Sequence, residues 1–230
     1  MHFLKWTASS IAISLITACG SGGGGDSPAA AVVPAAAAAP TFPFASAYKT
    51  LVAAGSATKN YTATGACSGS AAVTESPSSG GAVFETASAI TATQTFVLAT
   101  NCTTAPFTQT TVSYYDINYT PLGNETLGAY TVYSSFTVPT TVKVGDTGTL
   151  GSGVSYKDNT KSITAGNTVI TYTVEADTST TAVIKISATL STTSGYLIST
   201  EHDRYRIGAT GPLIPVSIDM ENNAGITSLK

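Results

Sequence analysis

The run Thr168-Val169-Ile170-Thr171-Tyr172-Thr173-Val174-Glu175-Ala176-Asp177 alternates without a break: Ile170, Tyr172, Val174 and Ala176 share one face, and Thr171, Thr173 and Glu175 take the other. A two-residue period is the mark of a β-strand with one buried face. Thr181 to Leu190 repeats it, with Ile184, Ile186, Ala188 and Leu190 opposite Lys185, Ser187 and Thr189. Only Asp177 to Thr180 intervene, so the two runs are predicted to pair as a hairpin. Tyr196 to Ile207 and Leu213 to Met220 follow. Four strands on short turns predict an antiparallel meander with a wet face and a buried one.

Upstream, β-branched and aromatic runs broken by Gly, Asn, Asp and Pro place strands near Tyr61 to Cys67, Ala71 to Glu75, Ala82 to Thr86, Ile90 to Thr100, Thr108 to Asp116 and Ala129 to Val138. From Tyr48 onward no stretch sustains helical spacing. The expected fold is all-β, an antiparallel arrangement of about ten strands closed as a β-sandwich or an open or half barrel. Thr64-Gly65 with Gly69-Ser70, and Thr147-Gly148 with Gly151-Ser152, are also compatible with a duplicated half, although a chain this rich in Gly, Ser and Thr produces such matches by chance.

The first residues have another character. Lys5 is followed by an uncharged stretch from Thr7 to Ala18, of the length of a signal-peptide core and too short to span a bilayer. Ile16-Thr17-Ala18-Cys19 resembles the lipobox of bacterial lipoproteins, and the glycine tract from Gly20 to Gly25 follows it as in that family. The resemblance implies a signal peptide over 1–18, lipidation of Cys19, and a membrane held through that lipid anchor. With Gly20 rather than Asp beside the cysteine, it also implies the outer membrane. Residues 19–47, with Pro28, Pro34, Pro40, Pro43 and five alanines at Ala35 to Ala39, read as a disordered tether, and 48–230 as the secreted domain. Through Gly145-Asp146-Thr147-Gly148 and Tyr205-Arg206-Ile207 that domain also looks like proteobacterial lipoproteins of no assigned activity.

Composition removes several classes of function. Charged residues are 10% of the chain, against roughly 25% in soluble proteins generally. Loss of Lys5 leaves nine basic residues against thirteen acidic, with no basic cluster, which excludes nucleic acid as a partner. Once Cys19 carries lipid, Cys67 and Cys102 remain as a pair in an oxidising compartment. A disulfide between them is predicted, against the alternative of two buried thiols. No metal site and no cofactor is expected, because two cysteines without a neighbouring histidine make a poor ligand set.

The chain holds no nucleophile elbow, phosphate-binding loop, dinucleotide fingerprint or zinc-protease motif. With one histidine after the signal, His202, multi-histidine chemistry is excluded and an enzyme is disfavoured. In Glu201-His202-Asp203-Arg204-Tyr205-Arg206, a strand places Glu201, Asp203 and Tyr205 on one face and His202, Arg204 and Arg206 on the other. The latter three form either a polar binding strip or an exposed face whose charges pair with neighbouring strands, and the second reading is preferred. Tyr114, Tyr115 and Asp116 suit stacking on a sugar ring, or else end a strand before a turn at Pro121 to Asn124.

Two functions remain in front. One is a membrane-anchored envelope protein displaying a non-enzymatic β domain, with an envelope protein, glycan or lipid as its partner. The other is a lipid or small-ligand carrier, whose cavity in a curved sheet would be bounded by the faces of Ile170, Ile184 and Ile214.

Overall fold

A computed structural model describes residues 39–223 and 225–230. Cys19, the signal peptide and most of the tether lie outside the described residues. The chain enters at β1 (Thr41–Phe42), turns into α1 (Phe44–Ala54), and then runs through β2 (Ser56–Gly65), β3 (Gly69–Glu75), β4 (Ser79–Phe84), β5 (Ala87–Thr100), β6 (Phe107–Tyr115), β7 (Pro121–Thr126) and β8 (Ala129–Phe136). After the short β9 (Val142–Lys143) come β10 (Thr147–Tyr156), β11 (Thr164–Ala176), β12 (Thr181–Ser191), β13 (Leu197–Gly208), β14 (Ile214–Asn222) and β15 (Gly225–Leu229). The fold is all-β, as expected, and the predicted meander is β11 to β14.

Nearly every strand pairs antiparallel with its neighbour in sequence, and two further pairings close the ring. β15 joins β2, with Leu229 opposite Ala63, and β3 joins β5, with Glu75 opposite Gln94. The result is a closed barrel of twelve strands. β4 continues β3 after a break at Ser76 and pairs with the first part of β5, while β1 and β9 form a separate two-stranded ribbon. Of the architectures compatible with the sequence, the barrel is the one adopted.

A barrel of about eight strands is filled by its own side chains, and a wider one is not. Here α1 fills one end. Phe44, Ala47, Tyr48 and Leu51 recur at helical spacing and pack against inward-facing Leu150, Ile170, Val174 and Ile184, and Val52 on the same helix is buried too. Phe42, Phe44, Ile184 and Ile207 are fully buried there. The folded domain therefore begins before Tyr48: Phe42 and Phe44, placed in the tether by their proline-rich setting, are core residues, and a helix spans the expected boundary. Gly55 ends that helix at φ 64°, and a Cβ there would lie 2.6 Å from the Ser76 carbonyl oxygen.

Three further departures have local causes. β10 was hidden by its glycines, which lie under aromatic rings: a Cβ on Gly151 would lie 2.4 Å from the Phe136 ring, and one on Gly148 2.9 Å from Tyr172. The turn expected at Pro121 to Asn124 falls earlier, where Asp116 accepts the N–H groups of Asn118 and Thr120, and Pro121 begins β7. The compared Gly steps are not equivalent either, since Gly65 ends β2 whereas Gly148 lies at the start of β10.

Cys67 and Cys102 are disulfide-bonded, with Cα atoms 5.5 Å apart. They join the β2–β3 turn to the β5–β6 turn, at the end of the barrel away from α1.

Candidate functional site

The walls have opposite characters on their two sides. Thr171, Thr173 and Glu175 of β11 and Lys185, Ser187 and Thr189 of β12 face outward, where a membrane-spanning barrel needs an apolar band. On β11 and β12 the apolar side chains face inward; the packed interior lies at the α1 end and along one wall, where Tyr61, Ala63, Ala71, Val73 and Leu229 cluster, while β4 lays Phe84 against Tyr114 and Tyr130 on the outer side.

Between them lies a lumen of about 270 Å³. Its apolar surface comes from Leu51, Leu150, Ile170 and Ile186, and its rings from Tyr48, Tyr115, Tyr133 and Tyr205. Glu75 and Gln94 face it from β3 and β5, Asn124 from β7, and Glu201 and Asp203 from β13. A second cavity of about 300 Å³ at the end away from α1 shares Ala188 and Glu201 with it, so Glu201 stands where the two meet. Exposed Phe107, Leu127, Ile163, Tyr196 and Ile226 sit on or beside the hairpin turns of that same end.

The lumen's polar groups divide into tied and untied. Asn124 Nδ2 donates to Tyr133 Oη at 3.0 Å, Gln94 Nε2 donates to Glu75 Oε1 at 3.3 Å, and the Tyr48 hydroxyl donates to Tyr115. Burial holds the Tyr48 and Tyr205 hydroxyls protonated far above the ordinary range and pushes Tyr133 up to about 12. Among the described residues Glu201 and Asp203 have neither a hydrogen-bond donor nor an ion-pair partner. Burial, and then the charges of Glu201 and Glu75, raise the Asp203 carboxyl well above its usual range. The two acids stand two residues apart on one strand, roughly 7 Å along the wall.

The outer face of β13 is different. Arg204 reaches Asp219 on β14 and lies 3.6 Å from Glu175, and Arg206 donates to Asp177 at 2.7 Å. His202 Nδ1 lies 2.7 Å from Ser187 Oγ. Burial, with Lys185 and Arg204 beside it, lowers the His202 pKa against the opposing pull of Asp219 and Glu221. Ser187, His202 and Asp219 are thus in register across three strands, but on a flat wall that lines neither cavity.

Of the six residues singled out from sequence, Tyr115 alone lines the lumen. Tyr114 faces outward, its ring 4.5 Å from Phe84 and its hydroxyl donating to Glu125, and Asp116 is occupied in its turn. His202, Arg204 and Arg206 share the outer face, as the two-residue period requires. The cavity residues on β13 are their alternates, Glu201, Asp203 and Tyr205, a set that the sequence placed together without showing that it faced a void. The boundaries foreseen for a carrier cavity hold only in part: Ile170 lines the lumen, Ile184 is in the solid core, and Ile214 is exposed. Among the described residues no three His, Cys, Asp or Glu side chains converge closely enough to hold a metal ion.

The chain matches no family model, no curated protein and no solved structure.

Proposed function

We propose that this protein is a lipid-anchored envelope binding protein that holds a small molecule inside its barrel. The observation that carries the reading is the half-filled interior: α1 packs one end solid, and beyond it a lumen lined by tyrosines and carboxylates is left open. A domain that serves only for display gains nothing from an interior void, since close packing is the stabilising alternative. A cavity of about 270 Å³ lies near the small end of the roughly 300–1,000 Å³ usual for ligand sites. Anchoring through Cys19 rests on the lipobox and on the odd cysteine left once Cys67 and Cys102 pair.

The test is native mass spectrometry of residues 39–230, purified from an oxidising compartment. A retained mass that is released on denaturation is the expected result. An empty barrel, together with no small-molecule protection against unfolding across a mixed metabolite library, would overturn the carrier reading. For the anchor, metabolic labelling with a radioactive fatty acid is expected to mark the full chain and to fail with Cys19→Ser; unlabelled wild-type chain would refute it.

A further inference from the structure

We propose that the lumen selects an organic cation, a small amine or quaternary ammonium with an apolar body; this rests on the carrier reading above. Glu201 and Asp203 point into the lumen from β13, with Glu75 on β3 facing the same space. Asp203 is half-buried in the lumen wall, yet among the described residues no donor reaches its carboxylate. Every fully buried polar side-chain atom among the described residues has a partner. The untied oxygens of Asp203 must therefore keep surface that water can reach, and the interior cavities are where that surface lies.

Charge in an enclosed space without a counter-ion is unfavourable, and a protein relieves it by protonation or by an opposite charge. Among the described residues none brings such a charge into contact with Glu201 or Asp203. Lys59 of β2 faces a narrow side recess shared with Glu75 and Asp203, but its ammonium donates to the Pro215 carbonyl and lies 5.0 Å over the Tyr61 ring. Lys185 and Arg204 are paired on the outer wall, and Arg206 is held by Asp177. A cation brought by a ligand completes the set. Tyr48 from α1, Tyr115, Tyr133 and Tyr205 contribute aromatic surface to the same lumen, the side chains that attract a cation through their ring faces and cover its apolar part. The acids do not converge into a metal-binding set, which favours a larger cation with spread charge over a bare ion.

Because such a ligand prefers ionised carboxylates, its binding displaces the proton that Asp203 and Glu201 hold against each other and Glu75. The lumen tyrosines, all raised by burial, keep their protons as the carboxylates titrate, and Lys59, lowered by burial, faces the side recess. Affinity for a permanent cation is therefore expected to rise as pH rises above the ordinary carboxylate range.

The experiment is titration calorimetry on the disulfide-bonded domain with two probes of one shape: choline, and its neutral isostere 3,3-dimethylbutan-1-ol. The expected result is binding of choline at least tenfold tighter than of the alcohol, with proton release into the buffer. Asp203→Asn and Glu201→Gln are each expected to weaken choline about tenfold, to leave the alcohol unchanged, and to flatten the pH dependence. Both variants are isosteric, and an unchanged melting profile verifies their fold. Equal or tighter binding of the alcohol would overturn the cation inference while leaving a working carrier. Failure of both probes at millimolar concentration would overturn it as well, and the carrier reading is then decided separately by the native mass spectrum.

Discussion

On the outer wall of β13, Arg204 and Arg206 each meet a carboxylate from a neighbouring strand or turn; on the inner wall of the same strand, Glu201 and Asp203 meet no opposite charge among the described residues. Six consecutive residues thus put charge to two uses. Outside, pairing across strands satisfies every charge and fixes the wall. Inside, the two carboxylates have no partner among the described residues, and the proposed ligand would supply one. The contrast teaches that a charged run need not be assigned to one role, because successive side chains of a strand belong to different environments.

The largest test of the contrast lies one strand away. Ile184→Ala is expected to cost about 2–5 kcal/mol, because the side chain is fully buried against α1, whereas its neighbour Lys185→Ala should cost under about 1 kcal/mol. Urea unfolding measures both, and equal costs would mean that the α1 end is not a packed core. The next effect separates the two faces by the sign of their pH dependence. The Asp203 carboxyl is raised in the folded protein, so its contribution to stability is fullest below the unfolded pKa near 4 and is lost as pH rises through the folded value. Asp203→Asn should therefore gain in stability relative to wild type as pH goes from 4 to 8.

Asp219 behaves inversely. Although burial pushes its carboxyl up, hydrogen bonds from Ser228 and Arg204 outweigh that and lower it. Its contribution is present above the unfolded pKa and disappears as pH falls through the folded value, so Asp219→Asn should destabilise at pH 7 by about 1 kcal/mol and by less in acid. Melting temperatures of both variants across pH would expose slopes of the same sign if the two walls are alike. The smallest effect is expected at His202: His202→Gln should shift stability by about 0.5 kcal/mol or less and leave ligand binding untouched, since the ring lines neither cavity.

What the sequence disclosed follows from what a local pattern can encode. Alternation in Thr168 to Leu190 identified strands, their pairing and their buried face, and the same period sorted Glu201 to Arg206 correctly. It carried nothing about β15 meeting β2 or β3 meeting β5, because those partners are far apart in the chain. Without closure there was no lumen, so Asp203 read as one more charge on a sheet. α1 was missed for another reason: Phe44, Ala47, Tyr48, Leu51 and Val52 have helical spacing, but the pattern straddles an alanine- and proline-rich entry that resembles a tether. β10 and β7 were missed because Gly151 and Pro121 usually argue against strands, and here one makes room for a ring and the other opens its strand.

The pairing of Leu229 with Ala63 also dictates an order of events. The ring cannot shut until residues 225–229 have left the ribosome and returned to a strand made some 160 residues earlier, and closing so long a loop is entropically slow. Each hairpin pairs strands that are close in the chain and can form before that contact, whereas the closed barrel, and with it the lumen, cannot.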